Sequence, residues 1–135
     1  MPKLSIIIPV YRMKSQLQQC LASIRRTVRI PYEIIVVDDG SPQGEEPAYE
    51  LSNEDGIRML RSKEHRSMGH ALCMGLQEAE GDVILFLHAD IMLSTYTVED
   101  MLDALIARPE IGAVSAVAMR MNEHRQFCPQ LSYRG

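Results

Sequence analysis

Two short clusters hold most of the chemistry this 135-residue sequence could perform: Asp38-Asp39 and His88-Ala89-Asp90. A carboxylate accepts hydrogen bonds from a base N–H or from ribose hydroxyls, and it ligates hard divalent cations. His88 and Asp90, one residue apart, could face the same cation, and imidazole beside carboxylate suits manganese better than calcium. Each cluster ends an apolar run, Ile34 to Val37 in one case and Val83 to Leu87 in the other. A third run, Leu4 to Ile8, ends in Pro9-Val10-Tyr11. Simpler readings stand beside these: an Asx-type turn at Asp38-Asp39-Gly40-Ser41, a backbone-bonded loop histidine at His88, a turn or cap at Asp90.

The runs themselves lack polar alternation, which marks strands buried on both faces of a parallel sheet. Pro9 cannot donate to a ladder and is expected to close the first strand. Met13, Leu17, Cys20, Leu21, Ile24 and Val28 recur at helical spacing and predict an amphipathic helix over 14–27. Pro31 then separates it from the strand ending in Asp38, giving a right-handed βαβ unit. Glu45-Glu46-Pro47 suits the first turn of a short helix fraying by Asn53 to Gly56. Ile57 to Arg61 reads as a weaker strand towards an edge.

A polar, mostly basic loop follows over Ser62 to Ser67, with Arg61, Lys63, His65 and Arg66, and by itself it reads first as a solvated connector. The next helix, 68–79, has Met68, Leu72, Leu76 and Ala79 as its apolar stripe and Gly81 as its C-cap. Gly69 and Gly75 inside it each cost roughly 1 kcal/mol against Ala, so something must approach closely there. Thr97 with Asp100 resembles a capping box, and Val98, Met101, Leu102, Leu105 and Ile106 form a stripe ending before Pro109. Gly112 to Met119 reads as a fifth strand, and beyond Arg120 no pattern holds. Strand and helix alternate throughout, so the expected fold is α/β, a mostly parallel sheet with helices on both faces. In such a sheet the three polar clusters share one edge and can converge on one ligand.

Composition narrows the options. Apolar residues make up 46% and charged residues 24%, a globular balance in a chain of single-domain length. A net charge of −4 argues against nucleic acid as partner, and aromatics at 5% argue against a base-stacking platform. No run is long enough for a membrane span, and neither signal peptide nor anchor is expected. Cys20, Cys73 and Cys128 lack metal-ligand spacing and suit free thiols in a reducing cytoplasm. There is no P-loop, no dinucleotide fingerprint after the first strand and no nucleophile elbow. Phosphates would be held by a metal and by donors such as Arg66.

Four blocks together resemble a known family: Ser5 to Tyr11, Glu33 to Ser41, Gly69 to Gly75, and Ala79 to Asp90. In order and spacing they look like the nucleotide-sugar half of family 2 glycosyltransferases, whose fold is called GT-A, over about Leu4 to Val117. The resemblance implies that Pro9, Val10 and Tyr11 line the base and ribose pocket, largely through backbone. Asp38 would accept from the base, with Asp39 beside it holding the loop or ribose. Asp90 matches the last Asp of the family's Asp-x-Asp motif and would carry Mn²⁺ or Mg²⁺ against the diphosphate, helped by His88, with Ala89 between. Arg66, Gly69 and His70 fall where the family contacts diphosphate or donor sugar. Three positions depart from the pattern: Arg12 where Asn is usual, Cys73 where Asn or Arg is common, and His88 in place of the first Asp.

The implied activity is metal-assisted, inverting sugar transfer from a UDP- or GDP-type donor to a saccharide, lipid or other acceptor. Family members continue past this length to supply the acceptor site and the base. Residues 1–135 therefore read as a single donor-binding domain, with Glu123 and His124 the only late candidates for a base. Exposed apolar edges would favour a homo-oligomer. Two alternatives differ in class: a binding module that kept the fold without turnover, and a nucleotidyltransferase, which would release pyrophosphate.

Overall fold

The computed structural model describes residues 2–47 and 56–116, together with the backbone of 119–121 and 127–129. The chain groups into two compact units, Met1–Thr95 and Tyr96–Gly135. The candidate donor- and cation-binding residues named above belong to the first, whereas Glu123 and His124 fall in the second.

The first unit is built on a four-stranded sheet in the order β3-β2-β1-β4, with β1 at Leu4–Val10, β2 at Tyr32–Asp38, β3 at Ile57–Arg61 and β4 at Val83–Phe86. All three pairings are parallel. Helix α1 (Lys14–Thr27) links β1 to β2, and α2 (Met68–Glu78) links β3 to β4. The chain steps one way from β1 to β2 and returns across the sheet from β3 to β4. Right-handed crossovers therefore place α1 and α2 on opposite faces. Strand order reverses between β1 and β4, and ligands of open α/β sheets bind at such reversals, beyond the carboxyl ends.

One face carries Ile7, Ile35 and Val37, packed with Ala71 of α2 and flanked by Leu60, Leu72, Met74 and Ile84. Strand alternation turns Ile6, Ile8, Ile34 and Val36 to the other face, where they too are buried. The stripe expected for α1 is realised, with Leu17, Cys20, Leu21, Ile24 and Val28 buried.

Several expectations are corrected. Pro9 does not close β1, since Pro9 and Val10 still pair with Val37 and Asp38. Odd-numbered residues of β1 bond towards β4, as Leu87 N–H to Ile7 O at 3.0 Å shows. The β4 ladder stops at the Ile7–Phe86 pair, so no donor is required of Pro9. β4 is an edge of this sheet among the described residues, and Phe86 is exposed rather than buried. On α2 the buried positions are Ala71 and Gly75, while Met68 and Leu76 are about half exposed. Leu72 and Ala79 of the expected stripe pack against the core, but the close approach to the sheet is made by the small residues Ala71 and Gly75.

Gly81 is not a C-cap: α2 ends at Glu78 with Ala79 as its cap. A Cβ at Gly81 would stand 2.6 Å from Ser5 N and Oγ, so close approach to β1 dictates glycine there. Residues 45–47 are irregular, and the remainder of the short helix expected after them lies outside the described residues.

The second unit contains α3 (Thr97–Ala107), buried at Val98 and Leu102, with Ile106 exposed. Its N-cap is Tyr96 in the left-handed region, φ 69°, not Thr97. Residues 112–116 are exposed and irregular rather than a fifth strand. An apolar run needs a ladder partner as well as composition, and none reaches it among the described residues. β5 (Met119–Met121) and β6 (Phe127–Pro129) form a separate antiparallel pair.

At the amino edge of the sheet Glu33 accepts from Ser5 Oγ and from Glu80 N–H at 2.7 Å, with Lys3 Nζ 3.8 Å away. Partial burial pushes its pKa upward, but Ser5, the Glu80 amide, Lys3 and Arg58 outweigh it and hold the carboxyl below its usual range. A depressed folded-state pKa adds stability above the unfolded carboxylate range, which is lost as pH falls through the folded value. Glu33→Gln should therefore cost more stability near neutrality than in acid, read by urea unfolding at both. A Cβ at Gly75 would sit 2.5 Å from Ile7 Cγ2 and 3.3 Å from Val37 Cγ2. Gly75→Ala gains about 1 kcal/mol of helix propensity but overpacks a tight core by about 1–3 kcal/mol. Net destabilisation of about 1 kcal/mol is expected, with an unchanged denaturant slope.

Candidate active site

Asp38 is the last residue of β2, aligned with Val10 on one side and Arg61 on the other. It is fully buried. Its Oδ1 accepts from Ser41 N–H at 3.0 Å and from Ser41 Oγ–H at 2.6 Å, an Asx-type turn. Its Oδ2 accepts no hydrogen bond, and the nearest cation is Arg61 Nε at 3.8 Å. Arg61 is shared, since its Nη2 also donates to Ser41 O and faces Glu46 at 3.7 Å. A buried carboxylate oxygen with spare acceptor capacity is costly unless a donor arrives.

Asp39 turns the other way. Its N–H donates to Val10 O at 2.9 Å, continuing the β1–β2 pairing past the strand. Its Oδ1 accepts from Arg66 N–H at 3.1 Å, and its Oδ2 lies 3.0 Å from His65 Nδ1. The loop after β3 is thereby latched over the end of β2. Gly40 is required in between: φ is +74°, and a Cβ would stand 2.4 Å from Glu64 C. The His65 ring stacks on Tyr11 with centroids 3.9 Å apart, and the Arg12 guanidinium lies over the same tyrosine at 5.1 Å. Ser41 Oγ accepts from Arg12 N–H at 3.0 Å, so the β1 and β2 loops are tied as well. Arg12 has φ +68°, a conformation asparagine tolerates better, which gives a physical reason for the Asn usual in the resembling family.

His88, Ala89 and Asp90 follow β4. Ala89 is fully buried, so its side chain packs inward. Asp90 is exposed, and its Oδ1 lies 2.8 Å from His88 Nδ1 without hydrogen-bond alignment. Two donors so placed fit part of a cation's coordination. No group of three metal-ligating side chains occurs among the described residues, so the remaining ligands would be water and phosphate oxygens, the usual arrangement for Mg²⁺. Cys20 of α1 lies beneath, its Sγ 3.8 Å from His88 O. Burial, with the Asp90 charge adding to it, pushes the Cys20 thiol up to about 12.

Val10, Asp38, Asp39 and Arg66 are thus joined by direct contacts, and Tyr11 through His65 and Arg12. Pro9 is buried within β1 and has only its carbonyl and ring edge to offer. Arg66 and His70 line an open hollow of about 400 Å³ with Arg61, Lys63, Glu64 and Met74, a markedly basic wall. Gly69, in the first turn of α2, has nothing nearer than Ser67 Oγ at 3.9 Å from where a Cβ would stand. Its neighbourhood is therefore open, unlike that of Gly75. His88 and Asp90 belong to the same carboxyl edge but stand on the far side of β1. Glu123 and His124 lie outside the described residues. The Asx-type turn expected through Ser41 is formed, whereas Arg61 and above all His65 were not read as site residues. The only sequence signal for His65 was membership of a basic loop.

Residues 5–131 match the profile described as Glycosyl transferase family 2. A dolichol-phosphate mannosyltransferase of Pyrococcus furiosus is 31% identical over 105 residues, 76% of this chain and 30% of that protein. A dolichyl-phosphate beta-glucosyltransferase of Drosophila melanogaster is 37% identical over 100 residues, 65% of this chain and 31% of that protein. The chain thus spans about a third of the length of these relatives. A mannosyltransferase from Pyrobaculum calidifontis, solved with GDP-Man and Mn²⁺, superposes with a TM-score of 0.75 at 27% identity, over 86% of this chain and 35% of that one. With the parallel sheet and its reversed strand order, these matches lead to one assignment: the chain belongs to glycosyl transferase family 2.

Proposed function

We propose that this chain is the donor-binding part of an enzyme that transfers a sugar from a UDP- or GDP-type diphosphosugar to an acceptor hydroxyl or phosphate, with a divalent cation assisting. The observation that carries the reading is the Oδ2 of fully buried Asp38, which accepts no hydrogen bond, faces Arg61 at 3.8 Å and offers an acceptor for an N–H of the base. Tyr11 and the backbone after Pro9 supply the adjoining wall for base and ribose. Arg66, with the open first turn of α2 at Gly69 and His70, faces diphosphate and sugar. The solved relative that holds GDP-Man and Mn²⁺ supports both donor class and cation. Two relatives named for dolichyl phosphate favour a lipid among the acceptors considered.

Asp90 and His88 would hold Mn²⁺ or Mg²⁺, which when bound neutralises charge on the departing diphosphate. In the transfer the acceptor oxygen attacks the anomeric carbon as the bond from that carbon to the diphosphate oxygen breaks. In-line attack inverts the anomeric centre. With a hydroxyl acceptor the proton passes to a base, for which the late candidates Glu123 and His124 lie outside the described residues. Residues 1–135 serve as one donor-binding domain in this reading, on the cytoplasmic side where free thiols such as Cys20 and Cys73 persist. No helix among the described residues is long and apolar enough to cross a membrane.

Calorimetry with UDP and GDP, each with and without Mn²⁺, tests the reading. One nucleotide should bind, and Mn²⁺ should tighten it. Asp38→Asn keeps an acceptor for Ser41 but turns a donor towards the base. It should weaken nucleotide binding at least about tenfold, or about 1.4 kcal/mol. Asp90→Ala should abolish only the gain from Mn²⁺. Absence of affinity for both nucleotides would remove the proposal.

A further inference from the structure

Helix α1 touches the loop after β4 at two points, one helical turn apart. Cys20 directs its thiol at His88 O, 3.8 Å away, and Ser23 Oγ accepts from Leu93 N–H at 3.0 Å. Both side chains are fully buried, and the i, i+3 spacing puts them on one face of the helix. The Ser23 hydroxyl bonds in both directions, donating its proton to Cys20 O at 2.7 Å while accepting from the Leu93 amide at 3.0 Å. Between the two anchored positions, His88 and Leu93, lies Asp90. Ile91 N–H closes the turn onto His88 O at 3.1 Å, the same carbonyl the thiol addresses. Leu93 is itself buried, so its amide has no recourse to water if the hydroxyl is removed.

From this bracketing we infer that Ser23, seconded by Cys20, is a positioning residue for the cation-holding loop: helix α1 sets where the Asp90 carboxylate stands. The inference rests on the donor-and-cation reading above. Ser23 touches neither donor nor cation and acts through the Leu93 amide. Its substitution should therefore change the contribution of the cation and leave direct nucleotide contacts at Asp38 intact. Thr27 supplies a matched control. It is buried on the same helix, and its Oγ1 donates to Ser23 O at 2.7 Å within the helix.

The test compares Ser23→Ala and Thr27→Ala by calorimetry with UDP and GDP, with and without Mn²⁺. Ser23→Ala should lose most of the Mn²⁺-dependent gain, about tenfold or more in affinity. Its cation-free affinity should stay within about twofold of the parent. Thr27→Ala should keep the gain. A Ser23→Ala protein that keeps the full gain, or loses cation-free affinity in proportion, overturns the inference while leaving the donor reading intact. A parent protein that binds nucleotide without any response to Mn²⁺ defeats the cation reading and this inference together. Amide exchange of the unaltered chain gives a readout that does not depend on a variant. The Leu93 amide should be protected like those in the middle of α1, and exchange as fast as at exposed loop amides overturns the clamp.

Discussion

The structure turns on one expensive placement: a carboxylate, Asp38, with no exposure to water at the end of a central strand. Removing an ionised group from solvent is tolerated only when its lone pairs are met. Ser41 meets one oxygen twice, through its amide and its hydroxyl. To do so the chain must reverse at once, and Gly40 provides the left-handed conformation that allows it. Ser41 also holds the Arg12 amide, and Arg61 reaches in from β3. The carboxylate thereby organises the ends of three adjacent strands. One of its oxygens is left without a hydrogen bond, facing only the Arg61 guanidinium at 3.8 Å.

The second constraint is topological. Parallel pairing throughout brings the ends of β1, β2, β3 and β4 to one edge, and the reversal between β1 and β4 opens that edge. Asp39 and Asp90 then occupy opposite sides of β1. Each is held by a different partner element, the loop after β3 for Asp39 and helix α1 beneath the loop of Asp90. The polar groups are positioned by neighbours remote in sequence, while the strands supply the platform.

Much of this platform was legible. The runs at Leu4, Ile34 and Ile57, and the stripe of α1, announced themselves because long apolar side chains at regular spacing have few alternatives to burial. The α2 stripe was legible only in part, at Leu72 and Ala79, because close helix–sheet contact selects Ala71 and Gly75, which carry little hydrophobic signal. Gly81 resembled a cap because a glycine after a helix usually is one, but the backbone of β1 stands where its side chain would be. The pairing of His65 with Asp39 and Tyr11 spans residues that nothing local connects.

The amino-acid sequence by itself determined the alternation of strand and helix, the parallel sheet and the acidic ends of its strands, since these follow from local periodicity and from residue types that cannot be buried cheaply. Family membership was written there too, in four ordered blocks. Only the tertiary structure decided that one Asp38 oxygen accepts no hydrogen bond while Asp39 faces Arg66 and His65, and that Ser23 and Cys20 of α1 hold the loop bearing Asp90. Those outcomes depend on which distant N–H and S–H groups the fold delivers to each acceptor, and hydrogen bonds of that range leave no periodic trace in a chain.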